Sequence, residues 1–504
     1  MHKETDRFSR HYRKLAARSR AFSAAGVLSV LLMAPPASAG PWAAPGDEEL
    51  RHHLTVLADA KILTVPITTW PLPWAGIKQD LDKVDTTQLS DQVLWSLQYA
   101  RFALDRQTRH GLRGSARVQL ARSPQALRSF SDDRRERSEA SASIDWMGDT
   151  FAVGLAGSAV EEPIDDKAFR PDGTYVAAVW GNWILSAGWQ DRWWGPGWQS
   201  SLILSSSARP VPALALQRNF SDAFATPWLS WLGPWQFTTF AGRMDANAYI
   251  PHAKLLGARL TLKPFKSFEL GVSRTAQWGG DGRPQSASSL WDLITGHDNA
   301  GSAGITKNNE PGNQLAGFDA RWGFLAFSAS NAIYAQITGE DESGGLPSRN
   351  MYLAGVETAF SAWDHSHRLV LEAADTKADH NNYAYEHGIY LDGYRYLGRP
   401  IGASFDNDSR ALTLRGEHFS AAGQQLSWSV SRIELNRDGS NRALPGGNVF
   451  GAEAKNLTTA SLSYGVPFAD VWKITVGGEY YSRSLKLGTE TADTGLFAKL
   501  ELRL

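Results

Sequence analysis

From about residue 111 to the end of the chain, apolar side chains recur at every second position. In residues 256–263 the even positions hold Leu, Ala, Leu and Leu, and the odd positions hold Gly, Arg, Thr and Lys. The same alternation fills 458–466, 472–480 and 496–504. A period of two places successive side chains on opposite faces of a β-strand. The pattern therefore predicts strands with one apolar face and one small or charged face, as in a sandwich or a barrel.

Three further features favour the membrane barrel. The last residues of the chain belong to an alternating segment, as closure of a barrel requires. Aromatic residues such as Trp235, Trp278, Trp472 and Tyr480 lie near predicted strand ends, where interfacial girdles occur. Connections alternate between short and long. We therefore predict an all-β transmembrane barrel of the outer-membrane type, with about 18 antiparallel strands, over residues 111–504.

The positions of the connections orient this predicted barrel. Short turns are expected near 148–149, 181–182, 265–266, 322–324, 362–366, 421–423 and 468–470, and 221–234 is a longer exception. Long connections are expected at 122–138, 159–172, 191–210, 279–312, 378–409 and 435–454. An even strand count places the N-terminal segment and the C-terminus in the periplasm, with the long loops outside. Arg274 shares the apolar face of its strand and fits only near a rim.

The N-terminus has the three parts of a secretory signal. Seven basic residues precede an apolar stretch at 21–34, and Ala37-Ser38-Ala39 fits the small-residue cleavage rule. We predict a signal peptide over residues 1–39, cleaved between Ala39 and Gly40. Removing it takes the formal charge from −1 to −6, because the segment carries a net charge of +5. A mildly acidic exported protein is not a candidate for nucleic acid binding.

Residues 40–110 are predicted to form a small periplasmic α-helical domain. Asp47 is a candidate N-cap, and further helices are expected at 77–84 and 88–109. His52 and His53 are adjacent on the first helix, so we interpret them as surface residues rather than as one metal site. The chain contains no cysteine, which excludes disulfides and thiolate metal or redox chemistry.

Two loops carry most of the candidate binding residues. In 189–209, indoles surround Gly195-Pro196-Gly197, and 383–399 is rich in tyrosine. Aromatic rings can stack on sugar faces, and arginines can pair with the carboxylates of acidic polysaccharides. The same residues could equally pack these loops into the barrel lumen. The candidate glycan-binding residues are Trp193, Trp194, Trp198, Arg192, Arg209, Trp278, Arg283, Tyr385, Tyr390, Tyr394 and Arg395.

Two carboxylate clusters, Glu340-Asp341 and Asp406 with Asp408, could cleave a glycosidic bond or bind a divalent cation. The favoured interpretation is a turn held by salt bridges. The loop histidines lack the spacing of a metal site. We therefore expect no metal and no cofactor.

Several blocks resemble the Wzi family of outer-membrane capsule assembly proteins. They include Trp194-Gly-Pro-Gly-Trp, Trp231-Leu-Gly-Pro-Trp-Gln, Asn309-Glu-Pro-Gly-Asn-Gln and Tyr383-Ala-Tyr-Glu-His-Gly, in order along nearly all of the mature chain. The resemblance implies an eighteen-stranded barrel with a periplasmic helical bundle, closed by external loops that fold inward. It also implies a lectin-like protein that catalyses no reaction and holds capsular polysaccharide or exopolysaccharide on the surface of a Gram-negative cell.

Two other functions remain open from the residues: a sugar-permeable, porin-like channel and, as a weaker alternative, a barrel enzyme that trims surface glycan. Besides the polysaccharide, we expect contacts with outer-membrane lipid and lipopolysaccharide and with the barrel assembly machinery. The protein is expected to be a monomer.

Overall fold

The computed structural model describes residues 41–131, 134–295, 306, 310–343, 346–378, 384–438, 447–469 and 471–503. The predicted signal peptide and its cleavage site between Ala39 and Gly40 lie outside these residues. No helix within these ranges combines the length and the apolar character needed to cross a membrane. The described helices are α1 Glu48–Asp59, α2 Trp74–Leu81, α3 Asp91–Thr108, α4 Ala287–Thr295 and a 3-10 turn at Ser230–Leu232.

Eighteen strands of the described chain form one closed barrel. They are β1 Gly111–Ala121, β2 Ser138–Met147, β3 Phe151–Glu161, β4 Tyr175–Trp180, β5 Trp183–Gly188, β6 Ala213–Arg218, β7 Trp235–Arg243, β8 Lys254–Phe265, β9 Phe268–Trp278, β10 Gly312–Ala326, β11 Ala329–Ser343, β12 Leu346–Ala362, β13 His365–Asp375, β14 Arg410–Ser420, β15 Gln425–Leu435, β16 Lys455–Phe468, β17 Trp472–Tyr481 and β18 Gly495–Arg503. Short strands outside this set are Trp42–Ala43, Thr69–Trp70, Leu72–Pro73, Phe169–Arg170, Trp193–Trp194, Arg395–Tyr396, Arg399–Pro400, Leu485–Leu487 and Glu490–Ala492.

Closure is made by the last strand. β18 pairs antiparallel with β1 from Phe497 opposite Ala121 to Arg503 opposite Ser115. Each barrel strand is antiparallel to its neighbours, and Phe169–Arg170 adds a short second pairing to β3. The predicted fold class is confirmed, because a period of two leaves every strand with a lumenal face and a lipid-facing face.

The two faces of the wall differ as the alternation predicts. On β8, Arg259 and Thr261 are buried inside, while Leu256 and Leu260 lie on the partly exposed outer face. Large exposed aromatic side chains lie at the end of the barrel with the short turns: Trp180, Phe265, Trp322, Phe327 and Trp363. Such a girdle is typical of the interface between membrane and water.

One predicted turn is wrong. A reversal was expected at 322–324, but β10 continues through Trp322 to Ala326, and the chain turns at Phe327 and Ser328. These two residues have φ values of 55° and 58°, the left-handed pair that a tight hairpin needs. The rings of Trp322 and Phe324 lie 5.4 Å apart. They are two positions apart, so they lie on the same outward face of β10 near its end.

The N-terminal helices pack into the barrel. Asp47 caps α1, because its Oδ1 accepts a hydrogen bond from the Leu50 amide at 3.0 Å. α1 packs on α3 and also contacts β10 and β11. The helix predicted at 77–84 starts three residues earlier, directly after Pro73, and the one predicted at 88–109 is shorter at both ends. The chain changes from helix to strand between Thr108 and Gly111.

The interpretation of His52 and His53 as surface residues is wrong, because both are fully buried. Arg368 Nε donates to His52 Nδ1 at 3.0 Å, so the other ring nitrogen of His52 carries the proton and donates to Ser366 Oγ at 2.6 Å. His53 Nδ1 lies 3.0 Å from Ser96 Oγ. Burial, and then the Arg368 charge, lowers the pKa of His53 to about 3. A helix inside a barrel meets protein on more faces than a surface helix does.

Candidate functional site

The loop between β5 and β6, residues 189–212, folds into the lumen and meets the N-terminal segment. Trp193 lies opposite Trp70 and Trp194 opposite Thr69 in a two-residue antiparallel ladder. All four side chains are almost completely buried. Because the loop enters from the extracellular end and the segment from the periplasmic end, this ladder joins the two within the lumen. We call the loop 189–212 and the segment 41–108 together the plug.

Trp198 fixes the plug to the inner wall. Its backbone amide donates to Glu372 Oε2 at 2.7 Å, and its indole nitrogen donates to Glu357 Oε2 at 2.7 Å. The guanidinium groups of Arg51 and Arg368 lie over its ring, 4.1 and 4.7 Å from the centroid. Cations over an indole face are attractive, more so when they are removed from water. This tryptophan therefore contacts α1, β12 and β13 at once.

The tight turn before Trp198 depends on glycine. A side chain at Gly197 would place its Cβ 2.1 Å from the Ser200 carbonyl oxygen, closer than any Cβ can approach. The turn brings the Ser200 amide to Glu372 Oε1 at 2.8 Å, and Arg51 donates to the Pro196 carbonyl oxygen at 2.7 Å.

A row of buried charges runs beside this contact. Arg321 donates to Asp59 at 2.7 Å and to Glu357 at 2.7 Å, and Arg368 pairs with Glu357 on the other side. Ser330 donates to Asp59 at 2.6 Å. The row holds two cations and two anions, so its formal charge is zero. Removing one member would leave an uncompensated buried charge, which is strongly destabilising.

The tyrosine-rich loop packs against the plug. Tyr385 and Tyr394 are fully buried, and Tyr390 is nearly so. Burial raises the pKa of Tyr390 to about 12, so its hydroxyl stays a donor. The three hydroxyl groups donate to main-chain oxygens of other loops: Tyr385 to Leu202, Tyr394 to Ile203 at 2.8 Å and Tyr390 to Gly279 at 3.0 Å.

Three of the predicted arginines already have partners within the loops. Arg209 pairs with Asp172 through two contacts of 2.7 and 2.8 Å and with Asp165 at 2.7 Å. Arg395 Nη2 lies 2.9 Å from Asp406 Oδ2. Arg192 lies over the Phe240 ring at 4.6 Å, and burial lowers its pKa to about 10. Arg209 therefore joins two loops, Arg395 stabilises its own loop, and Arg192 packs against the inner wall at β7.

The structure separates Trp278 and Arg283 from the other candidates. Both are half-exposed, Trp278 on the outer face of β9 and Arg283 in the turn that follows. Near Arg283, Asp281 lies 3.0 Å from His252, and Tyr249 is 58% exposed. The other nine candidates, three tryptophans, three tyrosines and three arginines, come together in the lumen, with no exposed ring face in this conformation. Their role in glycan binding stays a prediction.

The carboxylate candidates are in different environments. Glu340 is buried, and Asp406 is bound to Arg395. Asp408 accepts the Asp438 amide at 3.0 Å, and burial raises its pKa to about 6. The side chain of Asp341 lies outside the described residues. Over the described ranges, no three His, Asp or Glu side chains are grouped as metal ligands would be.

Little space is left beside the plug. A polar cavity of about 310 Å³ lies between it and the wall, with Ser427 and Ser463 among its lining residues. A second cavity of about 90 Å³ shares these two serines. Glu479, which lines the second cavity, pairs with Arg134 at 2.9 Å.

Sequence reasoning missed the wall residues that hold the plug: Arg321, Glu357, Arg368 and Glu372. The available signal was their odd or even position along the strand, which decides the face on which a side chain lies. Each lies on the lumenal face of its strand, the face on which the alternation places small or charged side chains. A charge at such a position indicates an opposite charge inside the barrel, although the sequence does not say which one.

Comparison with known proteins agrees with this architecture. Residues 108–494 match the family model of the capsule assembly protein Wzi. The chain belongs to the Wzi family. It is an outer-membrane β-barrel protein of a Gram-negative bacterium.

Two relatives carry the comparison further. A 55.8 kDa protein in the cps region of Klebsiella pneumoniae is 37% identical over 341 residues, which is 66% of this chain and 65% of that protein. The matched region thus spans just under two thirds of this relative. Wzi of Escherichia coli, described as an outer-membrane protein involved in group 1 capsule assembly and as a carbohydrate-binding β-barrel, is 28% identical in structure comparison. The match has a TM-score of 0.80 and covers 92% of this chain and 99% of Wzi.

Proposed function

We propose that this protein binds capsular polysaccharide or exopolysaccharide and holds it on the cell surface, as a lectin-like barrel that catalyses no reaction. The observation that carries the proposal is the ladder between Trp193–Trp194 and Thr69–Trp70, which joins the inward loop to the N-terminal segment inside a Wzi-family barrel. A barrel closed in this way presents its extracellular loops, rather than a pore, to the polymer. E. coli Wzi is itself described as carbohydrate-binding.

The exposed turn at 279–283 is the proposed contact surface, together with Tyr249 and His252 from the neighbouring loop. Its Arg283 can reach an acidic sugar, and Tyr249 offers a ring face and a hydroxyl group. Tyr390 supports the base of this turn through its bond to the Gly279 carbonyl oxygen. In this proposal the buried aromatic residues position the loops, and the exposed ones touch the polymer.

A long repeating polymer does not require a tight single site. When one contact is made, the next repeat is held nearby at high effective concentration, so modest contacts give strong retention. We also propose that the protein acts as a monomer inserted by the barrel assembly machinery.

The direct test is binding of purified protein in lipid nanodiscs to labelled surface polymer from its own host. We expect co-sedimentation with that polymer, and no signal with extract from a mutant that lacks it. Arg283→Gln with Tyr249→Ala should weaken binding about tenfold, whereas Glu434→Gln at the rim end of β15 should not. The polymer should keep its length after incubation. Equal binding of the protein to both extracts, or shortening of the polymer during incubation, would contradict the proposal.

The effect of deleting the gene in cells distinguishes retention of the polymer on the surface from its synthesis. Deletion of the gene should leave polymer synthesis and export intact and should release polymer into the medium. Loss of synthesis would count against the proposal.

A further inference from the structure

Helix α4 lies on the outside of the barrel, against the lipid-facing wall near the extracellular rim. Trp278 on the outer face of β9 donates to Ser289 Oγ at 3.3 Å, and Leu293 is 2% exposed. Trp291, on the side of the helix turned away from Leu293, is 65% exposed, and Ile294, at the edge of the apolar face, is 54% exposed. A short helix with one apolar face and an exposed tryptophan, at this level of a barrel, is typical of an interfacial helix.

Arg274 attaches α4 to the wall. Its guanidinium donates to the carbonyl oxygens of Leu293 and Ile294 at 2.8 and 2.7 Å, and its Nε donates to Gln314 at 2.8 Å. The last carbonyl groups of a helix carry partial negative charge and favour a cation. This contact explains a charged residue on the apolar face of β9, and it fixes the helix at a defined height on the wall.

The helix and the wall enclose an apolar groove of about 530 Å³. The groove is deep because outward positions of β7 and β8 hold small residues such as Ala241 and Ala258. A neighbouring depression of about 580 Å³ shares Leu214 and Ala241 with it and ends at two basic residues. The larger apolar side chains around the groove are Leu185, Leu214, Leu256, Leu290, Leu293 and Ile294.

The two basic residues lie side by side at the extracellular ends of their strands. Arg243 on β7 pairs in register with Lys254 on β8, and both point outward, in phase with Ala241 and Leu256. The depression therefore changes from apolar to cationic along the barrel axis. This order matches a molecule with acyl chains in the bilayer and phosphate at its outer surface.

We propose that this groove binds a phosphorylated acyl glycolipid of the outer leaflet, the lipid A part of lipopolysaccharide. An acyl chain lies between α4 and the wall, and a phosphate contacts Arg243 and Lys254. Neutral or zwitterionic phospholipid fits the apolar part but leaves the two cations without a net negative partner. The site is on the opposite face of the wall from the plug, so it is independent of polysaccharide binding.

Native mass spectrometry of the full protein, incubated in detergent with purified lipid A, tests the proposal. We expect one lipid A per barrel to remain bound at activation energies that remove phosphatidylethanolamine and dephosphorylated lipid A. The double variant Arg243→Gln/Lys254→Gln should lose at least fivefold in bound lipid A. Leu256→Trp, which fills the groove and leaves the charges, should lose a similar amount. Arg432→Gln, an exposed arginine near the same end of β15, is the matched control and should bind as wild type does.

Heat-modifiable migration in gels checks that each variant is folded. Unchanged binding by the folded double variant, or equal binding of phosphorylated and dephosphorylated lipid A, would overturn the proposal. Binding to polysaccharide is measured separately and has no bearing on the result.

Discussion

Two extracellular segments of this barrel, 189–212 with four tryptophans and 279–295 with one, fold in opposite directions. The first enters the lumen, where Trp198 is 1% exposed. The second crosses the rim and lies on the outer wall, where Trp291 is 65% exposed. Their partners differ accordingly. Trp198 meets carboxylates and guanidinium groups, whereas α4 meets leucine side chains and Arg274.

The difference teaches that a tryptophan in an extracellular loop does not by itself decide whether that loop folds inward or outward. The position of a loop depends on the face of the barrel wall against which it packs, because each face of a strand offers a different set of partners. An indole with an N–H donor is stabilised inside by carboxylate acceptors, and its ring is stabilised outside by lipid. Matched substitutions in the two segments can therefore separate packing from exposure.

The largest contrast is expected between Trp198→Ala and Trp291→Ala. Removing the buried indole leaves a cavity, removes the indole donor to Glu357 and uncovers two guanidinium groups. We expect a loss of about 5 kcal/mol in the free energy of unfolding. The exposed indole should matter by less than about 0.5 kcal/mol. Urea unfolding in detergent measures both, and similar losses for the two variants would break the comparison.

A substitution in the charge row gives the next largest effect. Glu357→Gln keeps the shape of the side chain but leaves Arg321 and Arg368 with one carboxylate instead of two. We expect a loss of about 3 kcal/mol in the free energy of unfolding. Glu434→Gln, at the rim and partly exposed, is the control. A Glu357→Gln protein as stable as that control would show that the row does not hold the plug.

The sequence alone predicts the barrel of this protein but not the contacts inside it. The alternation in residues such as 256–263 predicts two-faced strands, and the aromatic residues at strand ends with the alternating short and long connections favour a barrel over a sandwich. The contacts of Glu357 could not be predicted. They join α1 to three strands through the register of a closed sheet, and a change of one residue in register would replace every partner. His52 and His53 were misplaced for the same reason.

Acid should weaken the inner region and leave the outer one unaffected. Burial and the Arg368 charge lower the pKa of both His52 and His53, to about 3 for His53. In the unfolded chain these groups titrate near pH 6.5, so between pH 6.5 and 3 the unfolded state binds more protons. Stability should fall as pH falls through this window, by about 1.4 kcal/mol per pH unit for His53 with a contribution of the same sign from His52, and should be flat above it.

Urea midpoints at four pH values between 4.5 and 7.5 measure this dependence. His53→Gln should reduce the slope, and His110→Gln, an exposed histidine at the end of α3, should not. An unchanged slope in the His53 variant would place the proton uptake elsewhere.

The smallest expected effect belongs to the outer segment. Arg274→Gln removes the cation from the C-terminus of α4, at a cost of about 0.3–1 kcal/mol to the docked helix. Global unfolding should not change. A spin label at residue 291 should become more mobile in the Gln variant than in wild type. Unchanged mobility would show that Leu293 and Trp278 hold the helix without Arg274.

The central claim is that the inward segment seals the barrel, so that its outer loops rather than a pore meet the polymer. Single-channel recording of the purified protein in planar bilayers tests this most directly. The wild type should stay silent, and a variant in which 193–203 are replaced by a short Gly-Ser linker should give large, long-lived steps. Sustained large steps from the wild type would contradict the account and favour a sugar-permeable channel.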